Sequence, residues 1–356
     1  MKRLGLVLAI GSFHALGPGC HVDSVTRPRD LGAPPAAASS EAAGSEEGER
    51  RGPLSARVEN PFFLIFLDLP PSGGRLLEPG RSVLAVTSSY ASLWRRGEEG
   101  NVRVNLDGEL SHTTVCLRHG AAETLELFAS LPLLYATGGF LDGYIEAYHD
   151  ALGLPEGSRE DAEEDQFSMV IEGAGSTAYE LEEDRIGLGD IPLGFSVPFR
   201  KEGPSEPAIA LRGAIEVPTG DAERGFGNGG LDAGLGLAVE KGFGPWVLYG
   251  NLGLVDNHEP RAFRDAGLRT GTSLSALLAV ERLLGASWSA VGQLQMRTSP
   301  VPGTEVNGAE DTAWILVVGA IADLSAHTRL ELGLTEDLLG RTVQDFSVHA
   351  GLQWQF

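Results

Sequence analysis

The stretch Phe346-Ser347-Val348-His349-Ala350-Gly351-Leu352-Gln353-Trp354-Gln355-Phe356, on which the chain ends, decides the fold. Apolar side chains occupy every second position, and polar or small residues fill the positions between them. This period of two predicts a β-strand with one apolar face and one polar face. A strand that faces lipid on one side and a polar lumen on the other requires the pattern, whereas a soluble protein seldom ends this way. The stretch therefore predicts a transmembrane β-barrel.

The end of this strand resembles the C-terminal signature of bacterial outer-membrane barrels. In that signature a terminal Phe follows aromatic or aliphatic residues at alternate positions, as Phe356 follows Trp354 here. The resemblance implies that both residues form an assembly signal that is read by the barrel-assembly machinery. It also implies a location in the bacterial outer membrane, with outer-membrane lipid as the surrounding partner.

Length and composition agree with a barrel. The 356 residues include 48 glycines and 42% hydrophobic residues, and the mean hydropathy of -0.03 is typical of strands that alternate in polarity. No apolar run reaches the roughly 18 residues that a membrane-spanning helix requires. The formal net charge of -22 argues against a nucleic-acid partner, because phosphate groups attract the opposite charge. No cofactor is indicated.

Four regions follow one another along the chain. They are a signal peptide (1–19), a disordered leader (20–59), a plug or mouth segment (60–81) and the outer-membrane β-barrel (82–356). Lys2 and Arg3 precede the apolar run of the signal peptide. The leader is rich in Ala, Pro, Ser, Gly and Glu, so it buries too little apolar surface to fold. Plain cleavage is favoured over lipidation of Cys20, since Gly17 stands where a lipoprotein signal prefers a branched aliphatic residue.

Segments of period two follow one another from residue 82. They span 82–93, 100–107, 111–118, 123–131, 166–174, 189–199, 207–217, 231–240, 245–255, 270–283, 287–298, 312–323, 326–336 and 345–356. Most have the roughly 9 to 11 residues that a tilted membrane strand needs. The fold class is therefore all-β, a transmembrane antiparallel β-barrel of 12 to 14 strands. The lower number applies if a weak N-terminal pair stays out of the membrane.

The connections alternate in length through the second half of the predicted barrel. Long outer loops are predicted at 175–188, 218–230, 256–269, 299–311 and 337–344. Short inner turns are predicted at 200–206, 241–244, 284–286 and 324–325. Single-chain outer-membrane barrels place short turns in the periplasm and long loops outside. The alternation therefore supports the barrel independently of the strand pattern.

Charged residues lie on one face only of the predicted strands. Those predicted to line a pore are Arg212, Glu216, Asp232, Glu240, Glu281, Arg297, Arg329 and Glu331. Acids outnumber bases five to three in this set, which predicts a preference for cations. Aromatic residues at strand ends on the apolar face, as in the girdles of a barrel, are Trp246, Trp288, Trp314, Trp354 and Phe356.

One insertion has a different periodicity. Apolar residues at helical spacing predict one short periplasmic helix, namely Leu141, Ile145, Tyr148 and Leu152. Asp142, Glu146 and His149 lie on a neighbouring face, where carboxylates and an imidazole would suit a metal. Because one short helix supplies three ligands at best, we favour a helix that packs at the barrel mouth with these side chains solvated. No metal site is therefore predicted.

Three further features have simple explanations. The segment 225–230 is glycine-rich, but no helix follows that could hold a phosphate, so a flexible outer loop is favoured. The acidic runs 160–165 and 180–184 are favoured as solvated loops over sites for divalent cations. The histidines show no paired serine at a spacing that places both on one exterior face. An enzyme is therefore only the third hypothesis.

Three motifs carry a family resemblance: the predicted helix with the glycines before it, Gly189-Asp190, and Val217-Pro218-Thr219-Gly220-Asp221. Together they resemble an uncharacterised family of predicted bacterial outer-membrane barrels known as a domain of unknown function. The resemblance covers roughly residues 60–356 and implies fold and location without a reaction.

The leading hypothesis for the function is a passive channel or transporter for small solutes. Barrels of 12 to 14 strands enclose more space than the side chains of the wall fill. The alternative is a non-conducting surface or structural barrel that binds a partner. The pattern leaves the oligomeric state open.

Overall fold

The computed structural model describes residues 50–139, 167–304, 306, 309–339, 344 and 346–356. These residues form β1 Ser82–Glu99, β2 Val102–Ala122, β3 Leu125–Thr137, β4 Ser168–Gly173, β5 Ser176–Leu181, β6 Arg185–Leu188, β7 Ile191–Arg200, β8 Ala208–Val217, β9 Asp232–Phe243, β10 Trp246–Asp256, β11 Thr272–Leu283, β12 Trp288–Arg297, β13 Ala313–Asp323, β14 Thr328–Asp337 and β15 Phe346–Gln355. Short helices are α1 Pro61–Leu64 and α2 Arg261–Asp265, with a 3-10 turn at Ala222–Arg224. Within this part of the chain, no helix is long and apolar enough to cross a membrane.

Twelve of the strands close into an antiparallel barrel. The order around the wall is β1, β2, β3 and then β7 to β15, after which β15 pairs with β1 from Val83–Gln355 to Ser92–Phe346. The other three strands extend the sheet outside the wall, where β4 pairs with β2, β5 with β4, and β6 with β3. The predicted all-β barrel is confirmed, with the lower of the two predicted strand numbers.

Two features explain why the wall has twelve strands and not the fourteen segments counted in the sequence. The segments 100–107 and 111–118 form one continuous strand, because Gly108 has a φ of 138° and still pairs with Leu93. The segment 166–174 corresponds to β4, which lies outside the wall. The predicted outer loop 175–188 contains β5 and β6, which have six and four residues and are too short to show a clear period of two.

Five of the connections between wall strands are turns at one end of the barrel, beside Phe356, and the long loops lie at the other end, where the two-residue turn 100–101 between β1 and β2 is the exception. The turns of this inner end are 123–124, 201–207, 244–245, 284–287 and 324–327. The loops of the outer end include 218–231, 257–271, 298–312 and 338–345. The predicted alternation is therefore confirmed. β1 and β2 have 18 and 21 residues, so they project beyond the outer end of the other wall strands.

The wall has its apolar face outside and its polar face inside. Leu235 on β9 is 68% exposed and Leu278 on β11 is 59% exposed, whereas Glu240 and Glu281 on the same two strands are 3% and 0% exposed. This is the polarity of a membrane-spanning barrel, in which lipid takes the place of water outside. The predicted girdle residues Trp246, Trp288, Trp354 and Phe356 are exposed at strand ends beside the inner turns. Trp314 lies at the outer end of β13.

Residues 50–59 were predicted as part of the disordered leader, but they lie inside the barrel. Leu54, Ala56 and Val58 are buried, and side chains of the wall take up the backbone hydrogen bonds of the segment. The composition of the leader does not reveal these distant partners.

Several predictions fall on residues outside the described part. These are the signal peptide, Cys20, the leader up to residue 49, the helix 140–152 with Asp142, Glu146 and His149, and the acidic run 160–165. The helix was predicted to be periplasmic. β3, which precedes it in the chain, ends at Thr137 at the outer end of the barrel.

Candidate functional site

A hairpin formed by residues 50–77, here called the luminal hairpin, occupies the barrel lumen. It has a first limb (50–59), a tip (60–66) and a second limb (67–77). The first limb starts at the inner end, where Arg50 bonds to Glu202 of an inner turn. The second limb ends there too, where Leu77 N–H bonds to Glu126 near the start of β3. At the tip, the Asn60 side chain accepts a hydrogen bond from Phe62 N–H at 3.1 Å and caps α1, with Pro61 at its first position.

Inward-facing side chains bind the backbone of the first limb. The Glu281 carboxylate accepts from Arg51 N–H at 3.1 Å, and Glu331 accepts from Ser55 N–H at 2.6 Å. The Gln293 amide accepts from Leu54 N–H at 3.0 Å and donates to Leu54 C=O at 3.2 Å. Backbone N–H and C=O groups of the first limb thus find hydrogen-bond partners although no strand lies beside it. Side chains of the wall take the place of the backbone groups that a neighbouring strand would supply.

The second limb is held in the same way. Asp232 accepts from Leu67 N–H at 3.0 Å and Glu240 from Gly74 N–H at 3.1 Å. Arg212 donates to Pro70 C=O at 2.7 Å. At the tip, the Arg297 guanidinium donates to the carbonyls of three hairpin residues, Phe63, Phe66 and Leu67. Charged side chains at inward positions therefore bind the backbone of the hairpin.

Glycines of the wall make room for leucines of the hairpin. A Cβ added at Gly236 would lie 2.7 Å from Leu69 Cδ1, and one at Gly319 would lie 2.9 Å from Leu54 Cδ1. Both distances are shorter than the closest approach of two carbon atoms that are not bonded to each other. The wall therefore accommodates the hairpin in two ways: its polar side chains bind the hairpin backbone, and its glycines leave space for hairpin leucines.

All eight residues that the sequence analysis assigned to a pore point into the lumen. Seven hydrogen-bond to the hairpin, namely Arg212, Asp232, Glu240, Glu281, Arg297, Arg329 and Glu331. Glu216 does not. The sequence analysis missed other inward side chains that bind the hairpin, Glu126, Asn251, Gln293 and Gln295. They stand on the polar phase of their strands, so an inventory that included amides and the strand 123–131 would have found them.

Ion pairs fasten the hairpin at the inner end. Arg75 lies 2.7 Å from Glu240, Arg51 lies 2.7 Å from Asp323, and Arg50 contacts both Glu202 and Glu240. Burial of Glu202 opposes ionisation, but hydrogen bonds from Arg50 and a backbone N–H outweigh it and lower the pKa of Glu202 to about 2. The base of the hairpin is thus a charged clamp.

Apolar side chains close the outer end. Phe62, Phe63 and Phe66 of the tip are buried in one cluster with side chains of the long loops, and Phe66 packs edge-on against Phe263 with ring centroids 6.0 Å apart. Phe226 from the glycine-rich segment joins this cluster. Within the part of the chain that the structure describes, an apolar cluster therefore covers the outer end of the hairpin.

The glycine-rich segment 225–230 lies in an outer loop, as predicted, but it is packed. The Asp190 carboxylate accepts from Thr219 N–H, Gly220 N–H and Asn228 N–H at 2.8 to 2.9 Å. Asp190 and the segment Val217–Asp221 belong to the motifs that carried the family resemblance. Their common role in the structure is to hold this loop on the barrel.

A cavity of about 990 Å³ lies beside the hairpin. It follows the inward face of β15, β1, β2, β3, β7 and β8, called here the open wall, whereas the hairpin is attached mainly to β9–β14, called the hairpin wall. The open wall includes short polar side chains, namely Thr87, Ser89, Thr114, Cys116 and Ser130, beside longer charged ones such as Arg118 and Arg212. The cavity reaches from Ala326 in an inner turn to Glu216 in the outer half of β8.

The cavity does not have the acidic excess that the wall residues alone predicted. Eight arginines line it, namely Arg50, Arg51, Arg57, Arg75, Arg81, Arg118, Arg212 and Arg329. Seven acids line it, namely Glu59, Asp68, Glu78, Glu126, Glu216, Glu240 and Asp323. Half of the arginines come from the hairpin, which the sequence analysis had not placed in the lumen. Charges of both signs are therefore nearly balanced around the cavity.

The histidines differ from the sequence expectation in one respect. Ser82 and His119 lie opposite each other on β1 and β2, exposed, with Ser82 Oγ 2.9 Å from His119 Nδ1. Spacing along one strand cannot reveal such a cross-strand pair, and in the described part of the chain no carboxylate bonds to His119. Inside the lumen, His112 Nδ1 lies 3.1 Å from Glu59 and Nε2 lies 3.1 Å from Thr114 Oγ1. The described residues contain no group of three candidate metal ligands.

Comparison with solved structures shows the fold. An outer-membrane channel from Pseudomonas putida F1, a COG4313 protein, matches with a TM-score of 0.54 and 15% identity, over 81% of this chain and 100% of that one. The KdgM porin matches with a TM-score of 0.38 and 8% identity, over 77% and 99% of the two chains. The CymD monoaromatic hydrocarbon channel matches with 0.36 and 10%, over 78% and 88%. Only the first exceeds 0.5, and it supports the barrel architecture.

Comparison with protein families gives a match over nearly the whole chain. The model described as "Protein of unknown function (DUF3187)" matches residues 36–356. This confirms the resemblance to an uncharacterised family. No curated protein matches.

Proposed function

We propose that this chain, which belongs to the DUF3187 family of proteins of unknown function, is an outer-membrane channel for small polar solutes whose lumen is gated by the luminal hairpin. One observation carries the proposal: a polar cavity of about 990 Å³ runs along the open wall beside the hairpin. A barrel filled only to stabilise itself would pack its hairpin against the whole wall, because interiors leave few voids larger than a water molecule. The matched Pseudomonas putida protein is named as an outer-membrane channel, which agrees with this function.

The same geometry supports a gate at the tip of the hairpin. The cavity ends below the apolar cluster around Phe62, Phe63 and Phe66, so passage requires the tip to move away from the outer loops. The hairpin is held by many separate hydrogen bonds to side chains rather than by a continuous sheet ladder. Such contacts can exchange for water as the hairpin shifts, because each contributes only about 1.5–3 kcal/mol net even with a charged acceptor.

Planar-bilayer conductance of purified protein tests the proposal. We expect brief or small conductance from the full chain and a larger, steady conductance from a variant that lacks residues 50–77. Both proteins must first show the heat-dependent shift in SDS gels that marks a closed barrel. If the deletion variant fails to assemble, Asp232→Ala/Glu281→Ala/Glu331→Ala serves instead, because it removes hairpin acceptors and leaves the chain intact.

The alternative is a non-conducting barrel with a structural or partner-binding role. The closed outer end favours it, since the tip and the outer loops form one apolar cluster. An assembled barrel that stays electrically silent both with and without its hairpin would establish this alternative and exclude the channel.

A further inference from the structure

Two charged groups at the outer end of the cavity differ from the others that line it. Most lining charges are paired: Arg118 lies 2.8 Å from Glu126, and Arg75 lies 2.7 Å from Glu240. Arg57 of the hairpin and Glu216 of β8 have neither a hydrogen bond nor an ion pair within the described chain, and both line the cavity. Glu216 is only 5% exposed. Burying a carboxyl group without a partner costs free energy, so Glu216, which faces a cavity that an unpaired guanidinium also lines, points to a ligand.

The neighbouring charges cannot serve as partners because they are already engaged. Glu216 lies directly opposite Asp232 on β9, and that carboxylate accepts hydrogen bonds from Leu67 N–H and His258 N–H. Asp190 accepts three backbone hydrogen bonds in the outer loop. Arg297 donates to three carbonyls of the hairpin. These three groups are therefore occupied by protein partners.

Arg57 is therefore the one nearby cation, within the part of the chain that the structure describes, whose guanidinium is not held by other groups. It does not approach Glu216 within the 4 Å of an ion pair, and its buried Nε has no acceptor. A guanidinium and a carboxylate that share a cavity without touching leave room for a molecule between them. Such a molecule satisfies both only if it carries an anionic and a cationic group.

We propose that Arg57 and Glu216 form a subsite for a zwitterionic solute of the free amino acid type, with its carboxylate on Arg57 and its ammonium group on Glu216. A simple anion would be attracted by Arg57 and repelled by Glu216, and a simple cation would meet the reverse. The proposal rests on the proposed function in one respect: the solute that binds here is the class that the channel passes. A cavity of about 990 Å³ holds a free amino acid with ordered water.

Calorimetric titration of the purified full chain in detergent tests the subsite, with L-alanine as the zwitterion and propionate and ethylamine as analogues with one charge each. We expect L-alanine to bind about tenfold more tightly than either analogue, since each lacks one charge-assisted hydrogen bond. Glu216→Gln and Arg57→Gln should each weaken L-alanine about tenfold. The matched control is Glu78→Gln, which removes a lining carboxylate that is paired with Arg81 at the inner mouth and should change nothing.

One further readout separates a binding role from a structural one. In Glu216→Gln the repelling carboxylate is gone, so propionate should bind more tightly than it does to the unchanged protein. A purely structural loss would weaken both probes together. Equal affinity of the unchanged protein for L-alanine and propionate, or unaltered L-alanine binding in both variants, would overturn the subsite. Conductance without zwitterion binding refutes the subsite alone, whereas binding without conductance refutes the proposed function alone.

Discussion

The hairpin wall and the open wall of the lumen have the same period-two pattern, yet the first binds the hairpin and the second lines a cavity. Inward positions of β9–β14 carry long acceptors such as Glu281, Gln293 and Glu331, which reach the hairpin backbone. Inward positions of the open wall include short side chains such as Thr87 and Ser130, and a cavity lies in front of them. Polarity alone thus does not decide whether an inward side chain binds the hairpin. Its length, its hydrogen-bonding capacity and whether it is already paired across strands, as Arg118 is with Glu126, contribute as well.

The largest effect is expected where the open wall closes. The backbone N–H and C=O of Phe356 both bond to Ser82, at 2.9 and 2.8 Å. Deleting Phe356 removes two hydrogen bonds, roughly 2 kcal/mol, together with the proposed assembly signal. We expect outer-membrane levels to fall severalfold and fragments to collect in the periplasm, as measured by fractionation and immunoblotting. Gln355→Ala on the same strand is the control, and normal levels of the truncated chain would contradict the assembly signal.

A large effect is also expected when acceptors of the hairpin wall are removed. Glu281→Ala/Glu331→Ala leaves the N–H groups of Arg51, Gly52 and Ser55 without partners, each at a cost of about 1–3 kcal/mol. The first limb should detach, and trypsin should then cleave at its arginines. Thr87→Ala/Thr114→Ala, an equal change on the open wall, should leave cleavage unchanged. Equal cleavage of the two variants would show that the walls do not differ in this way.

A moderate difference is expected in access to the two walls. Cys116 lines the cavity, whereas Gln293 is 1% exposed beneath the hairpin. In a Cys20→Ser background, a small water-soluble methanethiosulfonate should modify Cys116 about tenfold faster than a cysteine placed by Gln293→Cys in a Cys116→Ser chain, because reaction requires access. Mass spectrometry over time gives both rates. Similar rates would mean that the hairpin does not shield its wall.

The smallest effect concerns the clamp at the inner end. The pKa of Glu202 is lowered from 4.5 to about 2, so its ionised form stabilises the hairpin base above pH 4.5. This contribution is lost as the pH falls from 4.5 towards 2, and we expect it to be on the order of 1 kcal/mol because the group is partly solvated. Tryptic cleavage after a pulse at pH 3 should rise in the unchanged protein and be constant in Glu202→Gln. Glu206→Gln, at an exposed position of the same turn, should behave as the unchanged protein.

The sequence predicted the wall well because the period of two reports directly which side chain faces lipid. Leu235 and Glu240 are on the predicted faces, and the alternation of long loops with short turns was confirmed. The strand number was less certain, since a glycine such as Gly108 is equally compatible with a turn and with a continuous strand. β5 and β6 have too few residues for any period to be recognised.

The hairpin could not be predicted because its structure depends on residues far away in the sequence. The partners of Arg51 and Leu54 are 230 and 239 residues distant, and they bind backbone groups that every sequence possesses. Nothing in residues 50–59 therefore distinguishes them from a disordered leader. The eight charged residues do face the lumen, but their assignment as the lining of an acidic pore stays a prediction, and it did not include the arginines that the hairpin contributes.

The two limbs of the luminal hairpin begin and end at the same mouth of the barrel, which has a topological consequence. Arg50 and Leu77 both lie at the inner end, and the tip points outward. The hairpin can therefore slide out towards the periplasm, tip last, while every strand keeps its neighbours, and it can return by the same route. A segment that crossed from one mouth to the other could not leave without threading its free end through the lumen. This arrangement makes the movement reversible without unfolding of the barrel.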